Sequence, residues 1–149
     1  MGVRISKVLA VIFLSIIAAF SEAAAGTVLI TDQEARLPPD TNIVGSRSIT
    51  RGPKIEFVHR DGPAHSPLHF QIKFQSFGGS TIVVQSLRLI YLKTPDVDLT
   101  SRVTPFAMPS GIDIPDAEIP TGEHYLRAEV TDSEGRTRTE VFVLKIAPK

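Results

Sequence analysis

Two stretches of this chain alternate apolar and polar residues with a period of two. Leu68, Phe70, Ile72 and Phe74 alternate with His69, Gln71 and Lys73. His124, Leu126, Ala128 and Val130 alternate with Tyr125, Arg127, Glu129 and Thr131. Each pattern predicts an extended strand with one face buried. Other strands follow from apolar content between turn signals. Lys54 to His59 is one, closed by Asp61-Gly62-Pro63. Ser86 to Lys93 is apolar on both faces, as a central strand should be, and follows the Gly78-Gly79-Ser80 turn. Leu99 to Val103 reads as a weak strand. Gly111 to Ile119 reads as a strand whose Pro115 calls for an edge or irregular position. Thr137 to Ile146 returns from an Asp132–Arg136 hairpin loop, in which Gly135 can take positive φ. About seven short strands, with no long segment of period 3.6, predict an all-β sandwich of two sheets. Its core should hold Phe70, Ile72, Leu89, Leu126, Ala128, Phe142 and Leu144.

The first 53 residues break this rhythm. Arg4 and Lys7 precede the uncharged run Val8–Phe20, which is followed by Ser21-Glu22-Ala23-Ala24-Ala25. Basic, apolar and small residues in that order are the pattern of a secretory signal peptide, residues 1–25, cleaved after Ala23 or Ala25. The apolar run has 13 residues, whereas a membrane span needs ~20. No membrane span is therefore expected after cleavage. Residues 26–53 read as a mostly irregular N-terminal tail or linker, broken at Leu37-Pro38-Pro39-Asp40 and Gly52-Pro53. Thr31 to Ala35 is able to open a short helix that Pro38 stops. Thr27-Val28-Leu29-Ile30-Thr31 is a good β segment, expected to pair with a sheet edge of this chain or of a partner. Residues 54–149 form the sandwich domain.

Composition narrows the setting. The chain has 16 basic and 16 acidic residues. The leader holds Arg4, Lys7 and Glu22, so what remains is close to neutral. No electrostatic case for nucleic acid arises. Cysteine is absent, which excludes thiol catalysis and thiolate metal sites. A cysteine-free exported domain fits a bacterial periplasm or exterior better than a disulfide-stapled animal one. The expected location is periplasmic or secreted.

Ile119-Pro120-Thr121-Gly122-Glu123-His124-Tyr125-Leu126-Arg127-Ala128-Glu129-Val130-Thr131-Asp132-Ser133-Glu134-Gly135-Arg136, followed by Val141-Phe142-Val143-Leu144, resembles the final hairpin of bacterial immunoglobulin-like and fibronectin-type-III-like domains. The resemblance implies an immunoglobulin-like β-sandwich. It also implies that His124 takes the corner position, often a Tyr, whose polar tip bonds a backbone group near the turn. The whole chain also resembles small exported proteins of Gram-negative bacteria, which implies location and architecture only. This fold hosts many functions, so activity must come from sites.

Enzyme signatures are missing. There is no Gly-x-Ser-x-Gly elbow, no phosphate-cradling glycine loop and no His-Glu-x-x-His. The chain is read as no enzyme, with no cofactor. His59, His65 and His69 lie within eleven residues and form a candidate metal set, because neutral imidazole is the commonest transition-metal ligand. Their spacing matches no zinc pattern. Asp96, Asp98, Asp113, Asp116 and Asp132 are oxygen donors, but on no calcium-loop spacing. Tyr91, Tyr125 and Arg127 are candidate binding residues. If both tyrosines face outward, they would build a sugar-stacking platform with Arg88 and Gln71.

The leading expectation is an exported, non-catalytic binding or scaffolding domain. It would act through protein–protein contact at a sheet face or edge, with weak self-association through an edge possible. A periplasmic metal-binding or carbohydrate-binding module is the alternative.

Overall fold

The computed structural model describes residues 26–41, 52–58 and 62–148. The signal-peptide reading and His59 lie outside these residues. Two sheets carry the fold. The first is built from β1 (Thr27–Val28), β7 (Gly111–Glu118), β3 (Leu68–Gln75) and β2 (Lys54–Val58), in that spatial order, with β6 (Ala107–Met108) also paired to β7. The second runs β5 (Val97–Asp98), β4 (Ile82–Tyr91), β8 (Gly122–Asp132) and β9 (Thr137–Ile146). All pairings between named strands are antiparallel except β1 with β7. The chain is an all-β sandwich. Six strands have five residues or more, and three have two. β2, β3 and β7 share one sheet while β4, β8 and β9 share the other.

Alternation decides which side chains go inside. Phe70 and Ile72 of β3, Leu89 of β4, Leu126 and Ala128 of β8 and Leu144 of β9 are all fully buried. Phe142, expected with them, is only partly buried. It sits on edge strand β9 and stacks on Phe57 of edge strand β2, with ring centroids 4.5 Å apart and planes 12° apart. The two rings close the open side of the sandwich, where no further strand covers them among the described residues.

Two expectations change and one is narrowed. The weak strand at Leu99–Val103 is instead a helical turn, α2 (Thr100–Val103). Leu99 and Val103 are four apart and both buried, which is helical spacing. Asp98 Oδ1 accepts the Thr100 N–H at 2.8 Å and opens the turn. Second, of the edge or irregular position expected for Pro115, the irregular one holds: its strand lies inside the sheet. Register slips there: Phe70 pairs with Ile114 and Leu68 with Ala117, so β7 carries one extra residue. Pro115, which has no N–H to give, falls within that bulge.

Third, residues 26–41 are not a loose tail. β1 pairs in parallel with Ala117 and Glu118. Leu29 and Ile30 are buried within the main core cluster. Thr31 and Glu34 form a reciprocal capping box on α1 (Asp32–Ala35). Arg102 then grips this arm. Its guanidinium donates to Glu34 at 2.7 and 2.8 Å and to the Leu29 carbonyl at 2.9 Å. Lys93 Nζ donates to the carbonyls of Ala35 and Leu37 at 2.9 and 3.0 Å. Composition marked the segment as irregular. The two buried aliphatic residues, with cations waiting 56 to 73 positions away, make it part of the domain.

Candidate functional site

β8 is central in the second sheet, so its outward residues set that face. Tyr125, Arg127 and Glu129 alternate with the buried His124, Leu126, Ala128 and Val130. Register aligns Tyr125 with Val143, Arg127 with Ile90 and Val141, and Glu129 with Arg88 and Thr139. Val141 and Val143 flank the inward Phe142 and so point out. The result is a half-exposed surface in which Ile90, Tyr125, Val141 and Val143 surround Arg127. Arg127 reaches Asp96 at 3.3 Å, and at the two ends of the surface Lys145 pairs with Glu123 at 2.7 Å and Thr139 donates to Glu129 at 3.1 Å. Aromatic residues and Arg are enriched at protein interfaces.

Tyr125 and Arg127 therefore stand where the sequence placed them, on an outward face. Tyr91 does not. It is 1 % exposed, on the core side of β4, so no two-tyrosine platform forms. Its ring packs 5.6 Å from the His124 imidazole, and Lys93 Nζ lies 5.2 Å from its centroid. Burial, helped by the Glu34 charge, pushes the Tyr91 phenol up to about 12. Tyr91 is in phase with the buried Leu87 and Leu89 and out of phase with the exposed Arg88, a signal that the apolar Ile90 and Leu92, in phase with Arg88, obscured.

His124 occupies the corner. It is 2 % exposed. Nε2 lies 2.7 Å from the Pro120 carbonyl oxygen and Nδ1 lies 2.9 Å from the Tyr91 hydroxyl. A carbonyl only accepts, so Nε2 carries the proton and Nδ1 accepts from Tyr91 O–H. Both nitrogens are satisfied in the neutral ring. Burial lowers the imidazole's pKa, against the pull of the Pro120 carbonyl.

The first sheet's outer face carries a groove of about 380 Å³. Lys54 and Glu56 of β2, Gln71 and Lys73 of β3, Asp113 of β7 and Met108 of β6 line it. At its end, His69 Nε2 meets Asp113 Oδ1 at 2.6 Å and Gln71 donates to Asp113 Oδ2 at 2.9 Å. The His69 hydrogen bond holds the Asp113 carboxyl below the ordinary aspartate value. His69 thus has a carboxylate partner, while His65 is exposed in the β2–β3 connection. Among the described residues, no group of three or more His, Asp or Glu side chains is placed to hold a metal ion. The turn aspartates have structural partners as well. Asp132 accepts from the N–H groups of Glu134 and Arg136 and from the Arg136 guanidinium, and Asp98 accepts the Thr100 N–H.

Sequence reading missed Val141, Val143 and Ile90. The signal for the two valines was present, since they alternate with Phe142 and Leu144, but it was spent on naming the buried face. No helix among the described residues is long and apolar enough to cross a membrane. No family model, curated protein or solved structure matches this chain.

Proposed function

We propose that this chain is an exported, non-catalytic binding domain that docks a protein partner on the outer face of its second sheet. The observation that carries the reading is the patch of Ile90, Tyr125, Val141 and Val143 around Arg127, which spans three adjacent strands. The patch is rigid, because ten consecutive residue pairs hold β8 to β9 without a slip. Tyr125 supplies a large amphipathic surface with few rotamers, as interface anchors do. Export rests on the basic, apolar and small-residue order of residues 1–25. A periplasmic or extracellular partner follows from that reading.

Photo-crosslinking in the producing cell tests both parts. A photoreactive residue at Tyr125 or Val143 should capture one discrete protein partner, identified by mass spectrometry. The same residue at Gln75, on the opposite sheet, should not. Equal capture from all three positions would defeat the docking face. The mass of the exported chain should begin at Ala24 or Gly26, and retention of Met1 would defeat export with cleavage.

A further inference from the structure

We propose that the slot filled by residues 27–30 is a strand-accepting site that also takes the same segment from a second copy of this chain. The partner is fixed by the sequence itself, since the segment that fits the slot is the one already seated in it.

The slot has three recognition features. Its wall is the edge of β7, where Ala117 and Glu118 pair with Thr27 and Val28 in parallel register. The Glu118 carbonyl also accepts the Leu29 N–H at 3.0 Å. Its floor is the hydrophobic core, whose main cluster Leu29 and Ile30 join. Its clasp is Arg102, which holds the Leu29 carbonyl and the Glu34 carboxylate together. Strand pairing supplies affinity, and the alternate apolar side chains supply specificity.

Each of these contacts joins the arm to residues far away in the sequence. The hydrogen bonds from Lys93 and Arg102 bridge 56 to 73 positions. None of them depends on the arm belonging to the same chain. An arm from a second copy makes the same bonds, so the two arrangements differ mainly in effective concentration. Self-docking wins in dilute solution. Reciprocal exchange gains as the chain is concentrated, and both slots of the pair are then filled.

The absence of cysteine from the chain makes the test direct. Val28 and Glu118 are both exposed register partners. Neighbouring strands lie ~4.8 Å apart, within reach of a disulfide. The mature chain carrying Val28→Cys and the mature chain carrying Glu118→Cys are refolded together at high concentration, oxidised and run without reductant. The proposal expects a mixed disulfide dimer at least tenfold above the dimers from either variant alone. Mixed dimers no more abundant than those backgrounds would overturn it. Light scattering of the unsubstituted chain is the second measurement. A dimer there without mixed disulfides places self-association on another surface, which also overturns arm exchange.

Discussion

Glu34 and Arg102 meet through two parallel hydrogen bonds, at 2.7 and 2.8 Å, although 68 positions separate them. Their side chains are 18 % and 30 % exposed, so the pair is sheltered but not sealed. The pair fastens the N-terminal arm to the helical turn after β5. The Arg102 hydrogen bonds hold the Glu34 carboxyl down at about 2, from an ordinary 4.5.

The first prediction follows from that pair. Glu34→Gln should cost about 1.5–3 kcal/mol of unfolding free energy, the range for hydrogen bonds to charged groups. Because the folded pKa is depressed, the pair's contribution is complete above pH ~4.5 and is lost as pH falls toward 2. Urea unfolding of wild type and variant across that range should show the difference shrinking as pH drops. A gap that stays constant down to pH 2 would mean that the charge of Glu34 contributes nothing.

The second prediction concerns Tyr91 and His124. Neutral His124 uses both nitrogens, so protonation forces Nδ1–H against the hydroxyl that had been donating to it. Its folded pKa lies below that of the unfolded chain. Stability should therefore fall as pH drops below the unfolded value of ~6.5, and level off below the folded one. Tyr91 acts at the other end of the scale. Its pKa is raised to about 12 from 10.0, so the stability it gives is present below pH 10 and lost as pH rises toward 12. Tyr91→Phe should cost ~1–3 kcal/mol by leaving Nδ1 buried without a donor, and should remove the alkaline loss. The chain has one other tyrosine, Tyr125, so Tyr125→Phe serves as the control for the spectroscopic titration.

The arm supplies a third prediction. Leu29 and Leu126 are both fully buried, one in the segment read from sequence as a tail and one in the clearest strand. Each should cost ~2–5 kcal/mol on truncation to alanine, from lost burial plus a residual cavity. Removing residues 26–41 should accordingly destabilise the sandwich rather than leave it intact. Equal thermal midpoints for Leu29→Ala and wild type would return the arm to the status of a tail.

What the sequence displayed and what it hid have the same cause. Alternation is a local property, so β3 and β8 and their buried residues were legible from a dozen residues each. The arm's place in the core depends on Arg102 and Lys93, which lie in other elements, and no window along the chain contains both partners. Tyr91 was ambiguous for a related reason. Ser86 and Arg88 mark the outer side of that strand and Tyr91 falls on the other, with Leu87 and Leu89, but the apolar Ile90 and Leu92, in phase with the polar pair, blurred the contrast. The outward patch on the second sheet needed register, because Ile90, Tyr125 and Val143 become neighbours only when three strands align.

Gly111 gives the last prediction. It opens β7 with φ +147°, a conformation that side chains rarely adopt. Its buried Cα faces the backbone of β3, where it pairs with Lys73. A Cβ built there falls on the Ile72 carbonyl oxygen and sits 3.0 Å from the Ile72 carbonyl carbon. These are backbone atoms in the middle of a sheet, so neither can rotate away. Gly111→Ala combines backbone strain of ~1–3 kcal/mol with an overlap of ~1–3 kcal/mol. It should lose ~2–6 kcal/mol in equilibrium unfolding. Gly135 in the β8–β9 turn also has positive φ, +77°, but a Cβ there meets nothing within 4 Å. Gly135→Ala should cost only the conformational part, ~1–2 kcal/mol. If the two variants lose the same amount, contact with β3 does not matter and the requirement for glycine at 111 is conformational alone.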